Sequence, residues 1–296
     1  MVRILAFSDL AWGTRGRGTK VDAASFLRRI GEAEPDIVVF AGDAAYDRCS
    51  RSGLDETGLF LGLLREIAGA GRHCVVVEGN NDDTMGTYGR VREAAEESPC
   101  IHEVSGKAET VCGIRFLGVP TGKEKRVAGS VREEADIVVA HAPLANRVWL
   151  FDLPASCILT GHYGMMAGEI AGKAYVAIDC SPASYAVIDW EGGWRRIEYI
   201  AGACRITMRP GEGIAAAGCD AAEFRRLTEG TGPLPYPDEV RALRRAREEL
   251  ASIGREEVFR RLIGMGIRKT HIERYLGKAG AGRRNPAAER HMHRNR

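Results

Sequence analysis

Five short apolar segments of this chain are each followed by a polar residue that can bind a metal ion. The segments, each with the residue that follows it, are 4–7 with Asp9, 37–40 with Asp43, 74–77 with Asn80, 137–140 with His141, and 157–160 with His162. Each segment is rich in β-forming residues and has the length of a strand. Because the carboxyl ends of strands form the ligand crevice of an open α/β sheet, we expect these side chains to converge. Mixed oxygen and nitrogen ligands favour Mn, Fe, Zn or Ni over a thiolate site.

Helical patterns separate the first three segments. Residues 21–32 and 54–70 have helical spacing, so strand, helix and strand alternate, which predicts βαβ units and a largely parallel sheet. Later strand-like segments, separated by short turns, predict the antiparallel part of a mixed sheet or sandwich; they are 114–119, 174–178, 185–189 and 194–200. No apolar run reaches the ~18–20 residues that span a bilayer, so we expect no membrane partner.

The polar residues after the strands form motifs that resemble those of the calcineurin-like phosphoesterase family, which are D-x-H, G-D, G-N-[HCN]-[DE], H and G-H-x-H. The corresponding residues here are Asp9-Leu10-Ala11, Gly42-Asp43, Gly79-Asn80-Asn81-Asp82, His141 and Gly161-His162-Tyr163-Gly164. The resemblance covers residues 1–200. It implies an α/β fold, a calcineurin-like mixed β-sheet sandwich flanked by helices. It also implies hydrolysis of phosphomonoesters or phosphodiesters by metal-activated water.

The resemblance also implies a role for each motif residue. Asp43 would bridge two divalent transition metals, and Asn80, His141 and His162 would complete one tight site. The other site would use Asp9 and Asp43 with two histidines, but Ala11 and Gly164 stand at those histidine positions. The catalytic candidates are Asp9, Asn81 and Asp82, and Asn81 stands where many members have a histidine that assists the leaving group.

A basic segment follows the first motif and is a candidate for substrate binding. Residues 14–20 read Thr-Arg-Gly-Arg-Gly-Thr-Lys, so Arg15 and Arg17 are available to bind phosphate in place of the charge of a second metal. Arg147, shortly after His141, is a further candidate. The same composition is also typical of a solvated basic loop, and both interpretations stand.

The composition of the chain changes after about residue 203, which predicts a division into four parts. They are a metallophosphoesterase-like domain at 1–203, a Gly/Ala/Pro-rich connection at 204–237, a C-terminal helical segment at 238–277, and a basic disordered tail at 278–296. Residues 256–277 resemble a helix-turn-helix pattern, which makes nucleic acid a candidate partner. Helical hairpins of other kinds share this spacing, and such tails are commonly only solvated.

Three functional interpretations follow. The first is a metal-dependent phosphoesterase acting on a phosphate-ester substrate. The second is a catalytically silent member of the family, either a metal-stabilised scaffold or a sensor of a phosphoryl ligand that acts through its C-terminal helices. The third makes the helical segment the active part, with the phosphoesterase fold as a regulatory or dimerising module. The eight cysteines are scattered without a C-x-x-C pair, which predicts free thiols and a reducing cytoplasmic location.

Overall fold

The computed structural model describes residues 1–10, 12–13, 15–16, 19–45, 54–84, 86–121, 134–142, 148–162, 165–179, 181–230 and 235–277 of the 296-residue chain. The chain divides into two compact units, Met1–Thr231 and Gly232–Arg296. Within the described ranges, no helix combines the length and the apolar character that crossing a bilayer requires.

Two mixed β-sheets and a small hairpin make up most of the first unit. In chain order the strands are β1 Val2–Phe7, β2 Arg15–Gly16, β3 Thr19–Lys20, β4 Ile37–Ala41, β5 His73–Val77, β6 Ile101–Glu103, β7 Ala108–Val111, β8 Ile114–Val119, β9 Ile137–Ala140, β10 Cys157–Thr160, β11 Met166–Ile170, β12 Lys173–Ala177, β13 Ser184–Trp190, β14 Trp194–Ala201, β15 Cys204–Arg209 and β16 Gly213–Ala217. The larger sheet has the order β16-β15-β14-β13-β1-β4-β5-β6, and the smaller has the order β11-β12-β10-β9-β8-β7.

Each sheet has a parallel part, and most residues of the strands in it are buried. β1, β4, β5 and β6 pair in parallel, as do β8, β9, β10 and β12. All residues of β4 and β9 are buried, which fits their unbroken runs of Ile, Val, Phe and Ala. The sequence prediction of a mixed sheet with a parallel part is therefore confirmed.

Helices cover one face of the larger sheet, and the smaller sheet packs on its other face. The helices of this unit are α1 Ala23–Ala33, α2 Glu56–Gly69, α3 Asn80–Thr84, α4 Thr87–Glu97 and α5 Ala221–Glu229. One apolar core lies between α1, α2, α4 and the larger sheet, and a second core joins inward-facing residues of both sheets. The helices predicted at 21–32 and 54–70 are present as α1 and α2.

The segment predicted as a connection at 204–237 contains regular structure. β15 and β16 extend the larger sheet as antiparallel strands, and Asp220 caps α5 by accepting hydrogen bonds from the amides of Ala222 and Glu223. The Gly- and Ala-rich sequence of Gly213–Ala217 has little intrinsic preference for a strand, so this strand is stabilised by its pairing with β15. The proposed domain boundaries themselves remain a prediction.

A disulfide corrects the expectation that all cysteines are free. Cys204, at the start of β15, is bonded to Cys219, just after β16. Cys74, Cys100, Cys112 and Cys157 are free thiols, and the buried position of Cys74 and Cys157 agrees with their use as small apolar residues.

Three helices form the described part of the second unit, and they are α6 Tyr236–Ile253, α7 Arg255–Gly264 and α8 Lys269–Leu276. Their buried side chains recur at helical spacing and form a core of their own; they include Val240, Leu243, Val258, Leu262 and Ile272. This regular spacing is the reason that residues 238–277 could be predicted as helical from the sequence.

Candidate metal centre

The polar residues that follow four central strands meet where the carboxyl ends of the two sheets come together. Asp9 and Asp43 follow the neighbouring strands β1 and β4 of the larger sheet, and His141 and His162 follow the neighbouring strands β9 and β10 of the smaller sheet. Nε2 of His141 lies 3.1 Å from Oδ2 of Asp43, and the amide of His162 donates to Oδ2 of Asp9 at 2.8 Å. Each sheet therefore contributes half of the site.

Asp43, His141 and His162 form a cluster that is suited to a metal ion. Each offers one ligand atom, and these atoms all lie within 4.8 Å of one another. Nδ1 of His141 donates to the carbonyl oxygen of Ala41 at 2.8 Å, which directs Nε2 towards the cluster, 3.2 Å from Nδ1 of His162. Asp43 and His141 are buried and His162 is partly exposed, so the cluster has one open side. One carboxylate and two imidazoles are ligands for Mn, Fe, Zn or Ni.

Asn81 holds the carboxylate of Asp43 from the side of α3. Its amide N–H donates to Oδ1 of Asp43 at 2.9 Å, and its side-chain Nδ2 donates to Oδ2 at 2.6 Å. Asn80, predicted as a metal ligand, is the first residue of α3, and its Oδ1 is buried. The structure thus places Asn81 against Asp43, where it fixes the orientation of the carboxylate.

Asp9 connects the loop after β1 with the loop after β10. Its Oδ2 accepts hydrogen bonds from Ser8 Oγ at 2.6 Å and from the His162 amide at 2.8 Å. Asp9, Asp43 and His162 have φ values of 56°, 52° and 84°, in the left-handed region that side chains rarely adopt. The hydrogen bonds of Asp9 help to hold these conformations, which persist only where the surroundings enforce them.

Asp82, predicted as a catalytic residue, lies beneath the site. It is only 2% exposed, and its carboxylate accepts hydrogen bonds from the amides of Gly79 at 2.9 Å and Ala45 at 3.0 Å. Burial and the charge of Asp43 raise the pKa of Asp82 to about 6, against the effect of the two amides. These contacts indicate that Asp82 fastens the loops after β4 and β5 to each other.

Ser8 and Ser181, which were not predicted from the sequence, support Asp9 beside the candidate metal cluster. Ser8 Oγ contacts Asp9, and the Ser8 amide donates to Ser181 Oγ at 3.0 Å, which in turn donates to the carbonyl oxygen of Ser184. Ser181 lies in the loop before β13, and its role is visible only once β1 and β13 are known to pair. The single available signal was the position of Ser8 between a strand and Asp9.

Several predicted site residues lie outside the part of the chain that the structure describes. They are Ala11, Arg17, Arg147 and Gly164. The backbone of Arg15 belongs to β2. Two residues that precede the basic segment are anchored beside the site: the Trp12 indole donates to the Ala44 carbonyl oxygen at 2.7 Å, and the Leu10 amide donates to that of Asp43 at 2.8 Å.

The electrostatics of the site favour an ionised Asp43. Burial acts to raise the pKa of Asp43, but hydrogen bonds from His141 and Asn81 hold it below its usual value. Burial acts to lower the pKa of His141, but the hydrogen bond to Asp43 and the charges of Asp9 and Asp43 raise it to about 9. Because a ligating histidine is neutral, metal binding at this cluster releases a proton.

Comparison with known proteins agrees with this fold. A family model described as calcineurin-like phosphoesterase matches residues 2–165. Among solved structures, the protein TT1561 of Thermus thermophilus is 15% identical, with 64% of this chain and 94% of that chain covered and a TM-score of 0.47. A dimetal phosphatase from Danio rerio is 11% identical, with 74% and 99% covered and a TM-score of 0.42. Yfce, a phosphoesterase from E. coli, is 12% identical, with 74% and 100% covered and a TM-score of 0.35. No curated protein matches the chain.

Gly42 provides a test of how closely the two sheets approach at the metal centre. Its φ is +85°, and a Cβ there would lie 2.5 Å from the His141 ring. We expect Gly42→Ala to lower the free energy of unfolding by about 2–4 kcal/mol through strain and overpacking. By moving His141, it should also weaken metal binding by about 10–100-fold. Chemical denaturation and metal titration measure the two effects.

Gly71 is the matched control for this substitution. It has a φ of +75°, but a Cβ there would meet no atom within 4 Å. Gly71→Ala should therefore show only the backbone strain, about 1 kcal/mol, with unchanged metal affinity. Equal effects of the two substitutions on metal affinity would contradict the assigned contact between Gly42 and His141.

Proposed function

The chain belongs to the calcineurin-like phosphoesterase family, and from that premise we propose that it hydrolyses phosphate esters with one tightly held divalent transition metal. The observation that carries the proposal is the cluster of Asp43, His141 and His162, with ligand atoms within 4.8 Å of one another. The oxygen and nitrogen donors of this cluster fit such an ion. Asn80 is the first residue of α3, and the next residue, Asn81, donates a hydrogen bond to Asp43. Asn80 would complete the ligand set.

The residues of the chain prepare this site for phosphoryl chemistry. When bound, an ion at this position supplies Lewis-acid charge to a phosphoryl oxygen and acidifies a water. Asn81 keeps Asp43 in a fixed orientation, and the Ala41 carbonyl oxygen keeps Nε2 of His141 available. The buried walls exclude bulk water, while the partly exposed His162 marks the side from which an ester can approach.

The first test of this function compares two histidine–carboxylate pairs. His141→Ala should remove the bound transition metal and lower hydrolysis of p-nitrophenyl phosphate and bis-p-nitrophenyl phosphate by at least about 100-fold, since metal affinity and activity share this ligand. His102 serves as the control because it contacts Glu109 at 2.5 Å outside the metal centre. His102→Ala should keep metal content and activity. Unchanged metal content in folded His141→Ala would contradict the proposed centre.

Arg15 and Arg17 are proposed to bind the phosphate of the substrate. Support comes from Trp12, two residues before the basic segment, whose indole donates to the carbonyl oxygen of Ala44 in the loop that carries Asp43. A phosphate dianion near a single metal needs further positive charge, and arginine offers bidentate hydrogen bonds to it. Gly16, between the two arginines, and Gly18, after Arg17, would allow the backbone to approach a phosphate closely.

This role predicts a specific binding defect. Arg15→Gln with Arg17→Gln should weaken inhibition by inorganic phosphate by about 10-fold or more, equivalent to the loss of about 1.5–3 kcal/mol of charge-assisted hydrogen bonding. Metal content should stay constant. Lys20→Gln, which removes a charge from the same segment, is the control and should have a smaller effect. If inorganic phosphate inhibits the double variant and the wild type equally, these arginines do not bind the substrate phosphate and belong to a solvated basic loop.

A second candidate function is a phosphoesterase fold that binds phosphoryl ligands without hydrolysing them. Ala11 and Gly164 favour it, because they stand at two histidine positions of the family motifs. Ala11→His with Gly164→His should raise the metal content from about one ion towards two, since Asp9 and Asp43 are present. Elemental analysis and a diesterase assay read the outcome.

The double histidine variant separates the two candidates. More metal with more activity indicates an enzyme weakened at its second site. More metal without activity supports the ligand-binding candidate. A folded variant with no additional metal would show that these two positions are not the missing ligands.

A further inference from the structure

The described part of the second unit consists of three consecutive helices, and a short turn joins the last two. Three backbone hydrogen bonds close the end of α7 and the turn that follows it. The Met265 amide donates to the Arg261 carbonyl oxygen, the Gly266 amide to that of Ile263, and the Ile267 amide to that of Leu262. Gly266 has a φ of +85°, which allows the tight turn. Residues 265–268 separate α7 from α8, and a turn of this length with a glycine is typical of helix-turn-helix units.

One side of α8 is fixed to the other two helices. His271 Nδ1 lies 2.6 Å from Glu239 Oε1 of α6, and the Arg247 guanidinium of α6 lies 5.4 Å from the centre of the Tyr275 ring. Arg255 of α7 donates to the carbonyl oxygen of Leu276 at 2.5 Å, which caps the end of α8. These contacts, with the fully buried Ile272, hold α8 as a rigid element.

The other side of α8 is exposed, polar and positively charged. Arg268, Lys269, Thr270 and Arg274 are all exposed, and Thr270 and Arg274 lie one helical turn apart on the same face. Lys269 lies 3.8 Å from Glu273, a weak surface pair. An anionic membrane is a poorer partner, since the apolar side of α8 is used in the core of the unit.

Arg268 and Arg274 differ in their partners from Arg241 and Arg245 of α6 and from Arg260 of α7. Arg241, Arg245 and Arg260 form ion pairs with carboxylates of the same helix at 2.5–2.8 Å. Within the described residues, no carboxylate forms an ion pair with Arg268 or Arg274. Arg274 on α8 and Arg268 in the turn directly before α8 are therefore available for an external anion.

The charge distribution of the whole chain points to a polyanion. Residues 232–296 contain sixteen Lys or Arg and eight Asp or Glu, whereas the complete chain has 42 against 40. The first unit is therefore acidic and the second strongly basic. A polyanion binds such a surface by releasing its counterions, which a small anionic ligand cannot do to the same extent.

We propose that the second unit binds double-stranded DNA through the exposed side of α8, with Arg268 and Arg274 in contact with the duplex. In helix-turn-helix proteins the second helix of the motif enters the major groove, and its N-terminal residues reach the base edges. The basic residues at 278–296 add sequence-independent attraction to phosphates. This proposal is independent of the phosphoesterase activity, which belongs to residues of the first unit.

The test measures binding of the full chain to a fluorescently labelled mixed-sequence DNA duplex by anisotropy over a series of salt concentrations. The wild type should bind at low salt, with an affinity that falls as salt rises. Arg268→Gln with Arg274→Gln should weaken binding and reduce the slope of log affinity against log salt by about one for each phosphate contact removed. Phosphoesterase activity should be unchanged.

Arg65→Gln with Arg90→Gln is the matched control. These exposed arginines of the first unit have the same charge, so the control variant has the same net charge as the α8 variant. It should bind like the wild type. Equal weakening in both variants would overturn the proposal in favour of general charge attraction.

Two further measurements complete the test. Arg283→Gln with Arg284→Gln should weaken binding without removing the effect of the α8 variant; loss of binding in this tail variant, with none in the α8 variant, would overturn the proposal. Single-stranded RNA and vesicles with anionic lipid serve as competing probes. Tighter binding of either probe than of the duplex would also overturn it, as would the absence of wild-type binding at low salt.

Discussion

The buried negative charge of Asp43 is the constraint on which the rest of the first unit depends. A carboxylate that is 1% exposed is stable only when it is paired and hydrogen-bonded. Asn81 donates two hydrogen bonds to it from α3, and His141 reaches it from the end of β9. Satisfying this one charge therefore fixes the loop after β4, the start of α3 and the meeting of the two sheets.

The close approach of the sheets follows from the same constraint and explains the glycines beside the ligands. A Cβ at Gly42 would lie 2.5 Å from the His141 ring, and one at Gly161 would lie 1.8 Å from Ser8 Oγ. The glycines of the G-D and G-H motifs are thus explained by the lack of room for a Cβ atom, and the residues that follow them by their ability to bind a metal. In each motif, the lack of a side chain on the glycine leaves space for a residue of the opposite sheet, His141 at Gly42 and Ser8 at Gly161. The residue after each glycine, Asp43 or His162, belongs to the candidate metal cluster.

The sequence was sufficient to predict what is regular and local, together with the order of the ligands along the sheet edge. The unbroken apolar runs predicted β4 and β9, and the helical spacing predicted α6, α7 and α8. It was insufficient for β15 and β16, because a Gly/Ala-rich strand is stabilised by its neighbour rather than by its own composition. The motif also led to the prediction that Asp82 is catalytic, because a sequence motif does not show that this side chain is buried beneath the site. The contacts of Ser8 with Asp9 and Ser181 depend on strands far apart in the chain.

Asp9 has a structural explanation that is separate from metal binding. In a two-metal site its carboxylate would belong to the ion whose histidine positions are Ala11 and Gly164 in this chain. Here Oδ2 of Asp9 accepts hydrogen bonds from the hydroxyl of Ser8 and from the amide of His162. His162 has a φ of 84°, in the left-handed region. Without that acceptor, the loop that presents the His162 ring would lose a buried hydrogen bond to a charged group, a contribution of about 1.5–3 kcal/mol. A single metal site that used His162 in this conformation would therefore also need Asp9. The presence of Asp9 is therefore no argument for a second ion, and the number of metals depends on positions 11 and 164.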